Sequence, residues 1–452
     1  MSDVLQDLPA FVAESEPWFR SALRTLVEQP TVSPGVDDPK AILAGIEVAR
    51  QLLSDAGAEI DVVPSGGTPA IIARFAHPAP KAKVVIYNHF DVQPADASKW
   101  EQDDPFRFEV REDPEREFLY LGRGTTDDKG PALCAVRAAQ WVARHNLPIE
   151  VICLWETEEE IGSPNFQDVL ESRREVLSGD CVIVSDTIWP SAAQPAISTG
   201  LRGGLFATAR LRTGAKETHS GLTGGPARNP LRELAGLATA IESAAFWRLD
   251  AADPSADEVI SFTRSGFDVA YFRESHDLER LATELPLEMM LRLWARPTFE
   301  VHGLVGGYQG KGVKSTIPGE GELKFSFRLV PEQHPERLWG RLAEFVRAYN
   351  PDIELTRLGS FTPYRGPIEG PVHQAIVHGM TQAFGIEPAL VREGGSIGAV
   401  PMMNEILGTP VHFLPLSLPE HGYHAPNERF DWKQAKGGIA AFVHVFEQLA
   451  RG

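Results

Sequence analysis

The feature that most constrains this chain is a set of apolar runs that each end in acidic or imidazole side chains. Residues 84–87 run into Asn88, His89, Phe90 and Asp91, and residues 151–155 run into Glu156, Thr157, Glu158, Glu159 and Glu160. Residues 182–184 lead to Ser185 and Asp186, and residues 411–414 are followed by His421, Gly422, Tyr423 and His424. A short apolar run without alternation reads as a strand buried on both faces, the pattern of a parallel sheet covered by helices. Helical spacing over 17–28, over 46–56 with Gly57 placed to end it, and over 132–144 supplies that cover. Strands alternating with helices make an α/β unit. In open parallel sheets ligands bind outside the carboxyl ends of the strands, so the polar clusters are expected to converge there.

The middle of the chain changes character. Residues 205–211 and 323–329 alternate apolar with polar, as antiparallel strands with one wet face do. Residues 231–243 and 335–349 have helical spacing, and 353–358 reads as a further strand. A β-α-β-β-α-β order would make a ferredoxin-like sandwich. The 452 residues exceed the length of about 250–300 at which one core usually splits. Two units are therefore expected. One is a discontinuous α/β catalytic domain of residues 1–198 and 371–452, with a mostly parallel sheet and helices on both faces. The other is an inserted ferredoxin-like α+β lid and dimerisation domain of residues 199–370. The stretch 245–300, with Trp247, Phe262, Phe267, Tyr271 and Trp294, has no legible pattern and is placed to shape specificity.

Composition removes several function classes. The 43 Lys+Arg against 62 Asp+Glu give a net charge of −19, with no basic stripe, which argues against nucleic acid. No apolar run approaches the roughly 20 residues of a membrane span, and no basic segment precedes an apolar one near Met1, so neither a span nor a signal peptide is expected. Cys134, Cys153 and Cys181 are odd in number, far apart and set among apolar residues, which reads as buried free thiols in a cytoplasmic protein.

Convergent imidazoles and carboxylates without thiolates suit Zn²⁺, Mn²⁺ or Co²⁺, and carboxylates so crowded need a cation between them. Singly, His89 could be a satisfied core residue and 156–160 a solvated loop; their joint occurrence at the strand ends favours a metal. Other strings fail on context. Gly122-Arg123-Gly124 lacks a strand–GxGxxG–helix unit, and in 307–315 Val313 stands where a phosphate loop needs glycine. There is no HExxH. Gly394-Gly395-Ser396-Ile397-Gly398 fits the GxSxG string, but charged Arg392 and Glu393 precede it where a nucleophile elbow needs a buried strand.

Longer motifs carry a resemblance. His89-Phe90-Asp91-Val92-Gln93-Pro94, Gly122-Arg123-Gly124-Thr125-Thr126-Asp127-Asp128-Lys129-Gly130 and Glu159-Glu160-Ile161-Gly162-Ser163 resemble the dinuclear zinc metallopeptidases, the family of carnosinase, cytosolic non-specific dipeptidase, carboxypeptidase G, acetylornithine deacetylase and succinyl-diaminopimelate desuccinylase. The likeness continues through Thr218-His219-Ser220-Gly221, Phe327-Arg328-Leu329-Val330-Pro331, Arg392-Glu393-Gly394-Gly395-Ser396-Ile397 and His424-Ala425-Pro426-Asn427-Glu428, with the dipeptidase branch nearest.

That resemblance implies roles. His89 and Asp186 would hold one metal, Glu160 and His424 a second, and Asp127 would bridge them, with a cis peptide after it. Asp91 would orient His89 through its second ring nitrogen. Glu159 would be the general base. His219 would reach a partner subunit's site in a homodimer and stabilise the oxyanion. Arg328 would clamp a substrate carboxylate, and Ser396 would line its pocket. Asn88 stands where many relatives have glycine, and Glu420 and His421 replace a usual acidic pair, placing a second imidazole near His424. The implied activity is hydrolysis of dipeptides with a free C-terminal carboxylate. The alternatives are an N-acyl-amino-acid deacylase of acetyl or succinyl type, or a non-catalytic scaffold.

Overall fold

The structure is a computed structural model that describes residues 4–36 and 38–451. Its largest sheet has the spatial order Glu59–Val63, Ala70–Phe75, Ile149–Glu156, Ala82–His89, Cys181–Val184 and Val411–Phe413. The last four are parallel, and the first two add an antiparallel edge. All four apolar runs are strands of this sheet, and each is buried along its length.

Alternate side chains of these strands enter two separate cores. Val84 and Ile86 pack with the helices Glu16–Val27, Lys40–Asp55, Gly130–Arg144 and Trp432–Arg451, while Val85 and Tyr87 pack with Phe166–Ser172 and Ala399–Leu407. Helices thus cover both faces, which is why the strands show no polar alternation.

The second sheet has the order Thr298–Gly306, Glu320–Leu329, Gly203–Arg212 and Glu354–Phe361, with every neighbour antiparallel. Helices Pro230–Ser243 and Pro335–Tyr349 complete a β-α-β-β-α-β sandwich. Leu205, Ala207, Ala209 and Leu211 face Leu323, Phe325, Phe327 and Leu329 in one core. A slip of one residue would turn that whole apolar set to water, so the alternation pins the register. Strand Thr298–Gly306 escaped the sequence reading because Phe299 is its one buried side chain.

Between the sandwich's first helix and its second strand lie the helices Ala256–Thr263, Val269–Ser275 and Pro286–Met290. Trp247 joins the sandwich core, whereas Phe262, Met290 and Trp294 pack with Ala196, Ile197 and Val391 of the larger sheet's core. Ser261 Oγ accepts from Leu390 N at 2.7 Å, and Glu258 pairs with Arg392 at 2.7 Å. Part of the expected insertion therefore reaches back onto the α/β unit, because its aromatic side chains are buried there.

Candidate metal centre

The strand ends deliver their polar residues to one place. His89, the last residue of its strand, has Nε2 2.9 Å from Asp127 Oδ1 and 3.8 Å from Asp186 Oδ2. His424 Nε2 lies 3.0 Å from Asp127 Oδ2 and 3.2 Å from Glu160 Oε2. His89, Asp127 and Glu160 each bring a ligand atom within 4.8 Å of the others, and so do His89, Asp128 and Asp186. Asp127 stands between the two imidazoles. Asp128 joins the cluster without having been singled out, and the bond between Asp127 and Asp128 is cis.

The supports of this cluster are buried and part-buried hydrogen bonds, most of them between residues remote in sequence. Asp91 holds His89 Nδ1 with its backbone carbonyl at 2.9 Å, and its carboxylate Oδ1 is 3.6 Å away. That carboxylate is occupied elsewhere: it accepts from Glu159 N at 3.2 Å, Glu160 N at 3.1 Å and Ser33 Oγ at 2.5 Å. Asp91 thus fixes the short turn Glu159–Ile161 that carries both glutamates. Gln93 Nε2 donates to Glu160 Oε2 at 2.6 Å, and Asn88 Nδ2 donates to Asp128 Oδ2 at 2.6 Å.

Glu428 was legible as part of a motif but not in its role. Its carboxylate is fully buried and accepts from Arg123 Nη1 at 2.8 Å and from the backbone N–H groups of Gly124, Thr126 and Asp127 at 2.9, 2.9 and 3.1 Å. This clamp holds the loop that presents Asp127. His421 has both ring nitrogens engaged, accepting from Leu418 N at 3.1 Å and facing Asp431 Oδ2 at 3.0 Å. It braces the loop before His424 rather than competing with it.

The electrostatics call for a cation. Burial pushes Asp128 and Asp186 well above the usual carboxylate range, and pushes Glu159 up to about 8. The charges of Glu160, Glu156 and Asp91 add to the rise in Glu159, and His89 opposes it. Glu160 Oε1 is buried without a hydrogen-bond donor, an expensive state that a metal ion would relieve. Two imidazoles among carboxylates, with no thiolate near, form a donor set that fits divalent Zn²⁺, Mn²⁺ or Co²⁺. Glu159 adjoins the cluster, and among the described residues its carboxylate has no hydrogen-bond donor.

The remaining predicted residues lie apart from this cluster. Arg328, on strand Glu320–Leu329, is half-buried 5.7 Å over the Phe206 ring and donates to Ser396 Oγ at 3.2 Å. Ser396 in turn donates to the Arg202 carbonyl at 2.5 Å, so it links the sandwich to the α/β unit. His219 is exposed on a two-residue strand paired with Thr316–Ile317, and its Nδ1 accepts from Gly221 N at 3.0 Å. It makes no hydrogen bond to the carboxylate cluster. Sequence reasoning passed over Glu393, which lines the cavity beside the cluster with Ile188, Tyr423 and Ala425. Burial raises its pKa, and it has no ion-pair partner among the described residues.

A family model described as Peptidase family M20/M25/M40 matches residues 85–448. Beta-Ala-His dipeptidase of Rattus norvegicus is 26% identical over 457 residues, covering 94% of this chain and 92% of its own length. Cys-Gly metallodipeptidase dug1 of Schizosaccharomyces pombe is 29% identical over 398 residues, covering 84% of this chain and 83% of its own. Among solved structures, the dipeptidase Dug1p of Saccharomyces cerevisiae has a TM-score of 0.84 at 23% identity, with 100% of both chains covered. The metallo-carboxypeptidase Sso-CP2 of Sulfolobus solfataricus has a TM-score of 0.86 at 24% identity, over 96% of this chain and 99% of its own.

Proposed function

This chain belongs to peptidase family M20/M25/M40, a metallopeptidase family, and on that premise we propose that it is a dinuclear, metal-dependent dipeptidase. His89 and Asp186 would hold one ion and Glu160 and His424 the other, with Asp127, whose two carboxylate oxygens face the two imidazoles, available to both. Zn²⁺ is the reading, and Mn²⁺ or Co²⁺ suits the same donors. When bound, the ions supply Lewis acidity and acidify a water towards neutrality. Glu159 accepts the proton of the attacking water and returns it to the leaving amine. Its place beside Glu160 on the short turn and its free carboxylate support that task. Arg328, oriented through Ser396, holds the substrate's C-terminal carboxylate.

The observation that carries the choice of substrate is Glu393. A carboxylate that lines the cavity beside the cluster, without a cation of its own, suits the free ammonium of a dipeptide. An N-acyl group would leave its charge with backbone donors such as Gly394 N but no counter-ion, which weighs against a deacylase. Named dipeptidases among the relatives support the same substrate class.

Residues 1–198 and 371–452 are read as the catalytic domain and 199–370 as a lid that also pairs two copies. The free edge strand Thr298–Gly306, and the exposed apolar Leu222 (84% accessible) and Val313 (96%), each three residues in sequence from His219 or its pairing partner Thr316, favour a homodimer. In it, His219 supplied by the second copy of this chain stabilises the oxyanion. The three buried free thiols favour a cytoplasmic setting, and no helix among the described residues is long and apolar enough to cross a membrane. The test is hydrolysis of dipeptides and N-acyl amino acids by metal-stripped protein after Zn²⁺ or Mn²⁺ is restored. Metal-dependent cleavage of dipeptides alone is expected; cleavage of the N-acyl compounds alone would overturn the assignment.

A further inference from the structure

The stretch that lacks a legible pattern in the sequence walls a cavity of about 520 Å³ beside the carboxylate cluster. Its apolar lining comes from Phe267, Tyr271, Phe272, Leu293 and Trp294, with Ile188 opposite, two residues beyond Asp186. The rings brace one another: Phe267 lies 5.9 Å from Trp294 and 5.6 Å from Phe272, and Trp294 lies 5.3 Å from Phe262. Tyr423 and Ala425, which flank His424, also line the cavity, and the Tyr423 hydroxyl donates to Asp186 Oδ1 at 3.3 Å.

The two arginines in the lining are engaged through part of their guanidinium groups, with Arg392 Nη1 and Arg202 Nε left without a hydrogen-bond partner among the described residues. Arg392 pairs with Glu258 at 2.7 Å, and Arg202 donates to the carbonyls of Leu293 at 3.0 Å and Arg296 at 2.9 Å. What remains for a ligand is an aromatic surface with two carboxylates that have no ion-pair partner among the described residues: Glu393, which accepts from Gly394 N at 3.0 Å, and Asp268, which accepts from Tyr271 N at 2.6 Å. Tyr271 also ties this wall to the centre, because its hydroxyl donates to Glu420 Oε2 at 2.9 Å and Glu420 pairs with Arg116 at 2.6 Å. Glu420 lies in the turn Pro419–His421, which leads directly to His424.

We infer that this cavity receives the side chain of the substrate's N-terminal residue and selects dipeptides in which that residue is bulky and apolar, aromatic above all. The inference rests on the dipeptidase reading, in which Glu393 holds the amino group and so directs the adjacent side chain into the cavity. Its volume falls within the roughly 300–1,000 Å³ of small-molecule pockets and far exceeds the needs of glycine or alanine. An aromatic side chain would displace water and find rings at stacking or edge-on distance.

The test takes the Zn²⁺-loaded full chain through the series Gly-Ala, Ala-Ala, Leu-Ala, Phe-Ala and Trp-Ala. kcat/KM should rise about 10- to 100-fold from Gly-Ala to Phe-Ala, the discrimination expected of a hydrophobic pocket. Ser275→Trp, which fills the cavity from an exposed position, and Phe272→Ala, which strips its wall, should each lower the Phe-Ala to Gly-Ala ratio at least about fivefold. Calorimetric binding of L-phenylalaninol against ethanolamine, which have no scissile bond, reads the same preference without turnover. A flat or falling series with equal binding of the two amino alcohols would overturn the pocket and leave the dipeptidase reading standing. No cleavage of any dipeptide, with phenylalaninol still bound at least about tenfold more tightly, would sink the dipeptidase reading and uphold the pocket's preference.

Discussion

Replacing Glu428 by glutamine keeps the side chain's volume and removes its charge, so it isolates what the buried carboxylate does for the Asp127 loop. Each oxygen has two donors: Arg123 Nη1 and Gly124 N on Oε2, and Thr126 N and Asp127 N on Oε1. The amide oxygen of glutamine can serve one pair. Its NH₂ must then face the other pair, donor against donor. Two charge-assisted bonds are lost at about 1.5–3 kcal/mol each. Arg123, only 3% exposed, is left with an uncompensated charge beside the Trp100 ring, 5.3 Å away. Stranding one partner of a buried pair costs about 3–5 kcal/mol, so both routes give a similar loss. Because the loop carries Asp127, metal affinity should fall about 10- to 100-fold, the usual effect of removing a residue that positions a ligand. Urea unfolding of the metal-free protein reads the first quantity, and competition with a chromophoric chelator for Zn²⁺ reads the second. An unchanged unfolding midpoint together with a metal Kd within about twofold of the parent would refute the clamp, since the expected change is at least about tenfold.

Other expectations follow from single residues. Glu159→Gln should retain metal and lose about 10²- to 10⁴-fold in kcat; near-normal turnover would remove Glu159 as the base. His219→Ala should lower kcat with metal content unchanged, and mixing it with Glu159→Gln should regain activity through hybrid dimers. No recovery, with subunit exchange verified, would mean that His219 does not act across subunits. Arg328→Ala should raise KM for dipeptides while sparing their C-terminal amides, and equal losses on both would exclude the carboxylate clamp. Burial, with the charge of His373 adding to it, lowers His412 from 6.5 to about 4. The unfolded chain then binds the proton better, so stability is lost as pH falls from about 6.5 to 4. At about 1.36 kcal/mol per pH unit the loss comes to about 3 kcal/mol. His412→Phe should flatten that part of the urea-stability profile, and an unchanged slope would show that His412 does not set it.

Local pattern was enough to read the architecture of the α/β unit from the sequence. Strands buried on both faces must be apolar throughout, and the residues just beyond them must be polar if a site lies there; residues 84–91 and 151–160 carry both signals. The alternation at 205–211 likewise reported a sheet with one wet face. The edge strands Glu59–Val63 and Thr298–Gly306 carry no such signal, because few of their side chains are buried. Only the tertiary structure decided that Asp91 uses its carbonyl on His89 and its carboxylate on the Glu159–Ile161 turn. Only it spent both nitrogens of His421, made Glu428 the clamp of the Asp127 loop, and laid the aromatic residues of 267–294 along the cavity that Tyr423 and Ala425 also line. Glu428 is 304 positions from Gly124, and Tyr271 is 149 from Glu420. Periodicity reports which face of an element is buried, but the partner of a buried polar group is chosen by proximity in the folded chain, which spacing along the sequence does not encode.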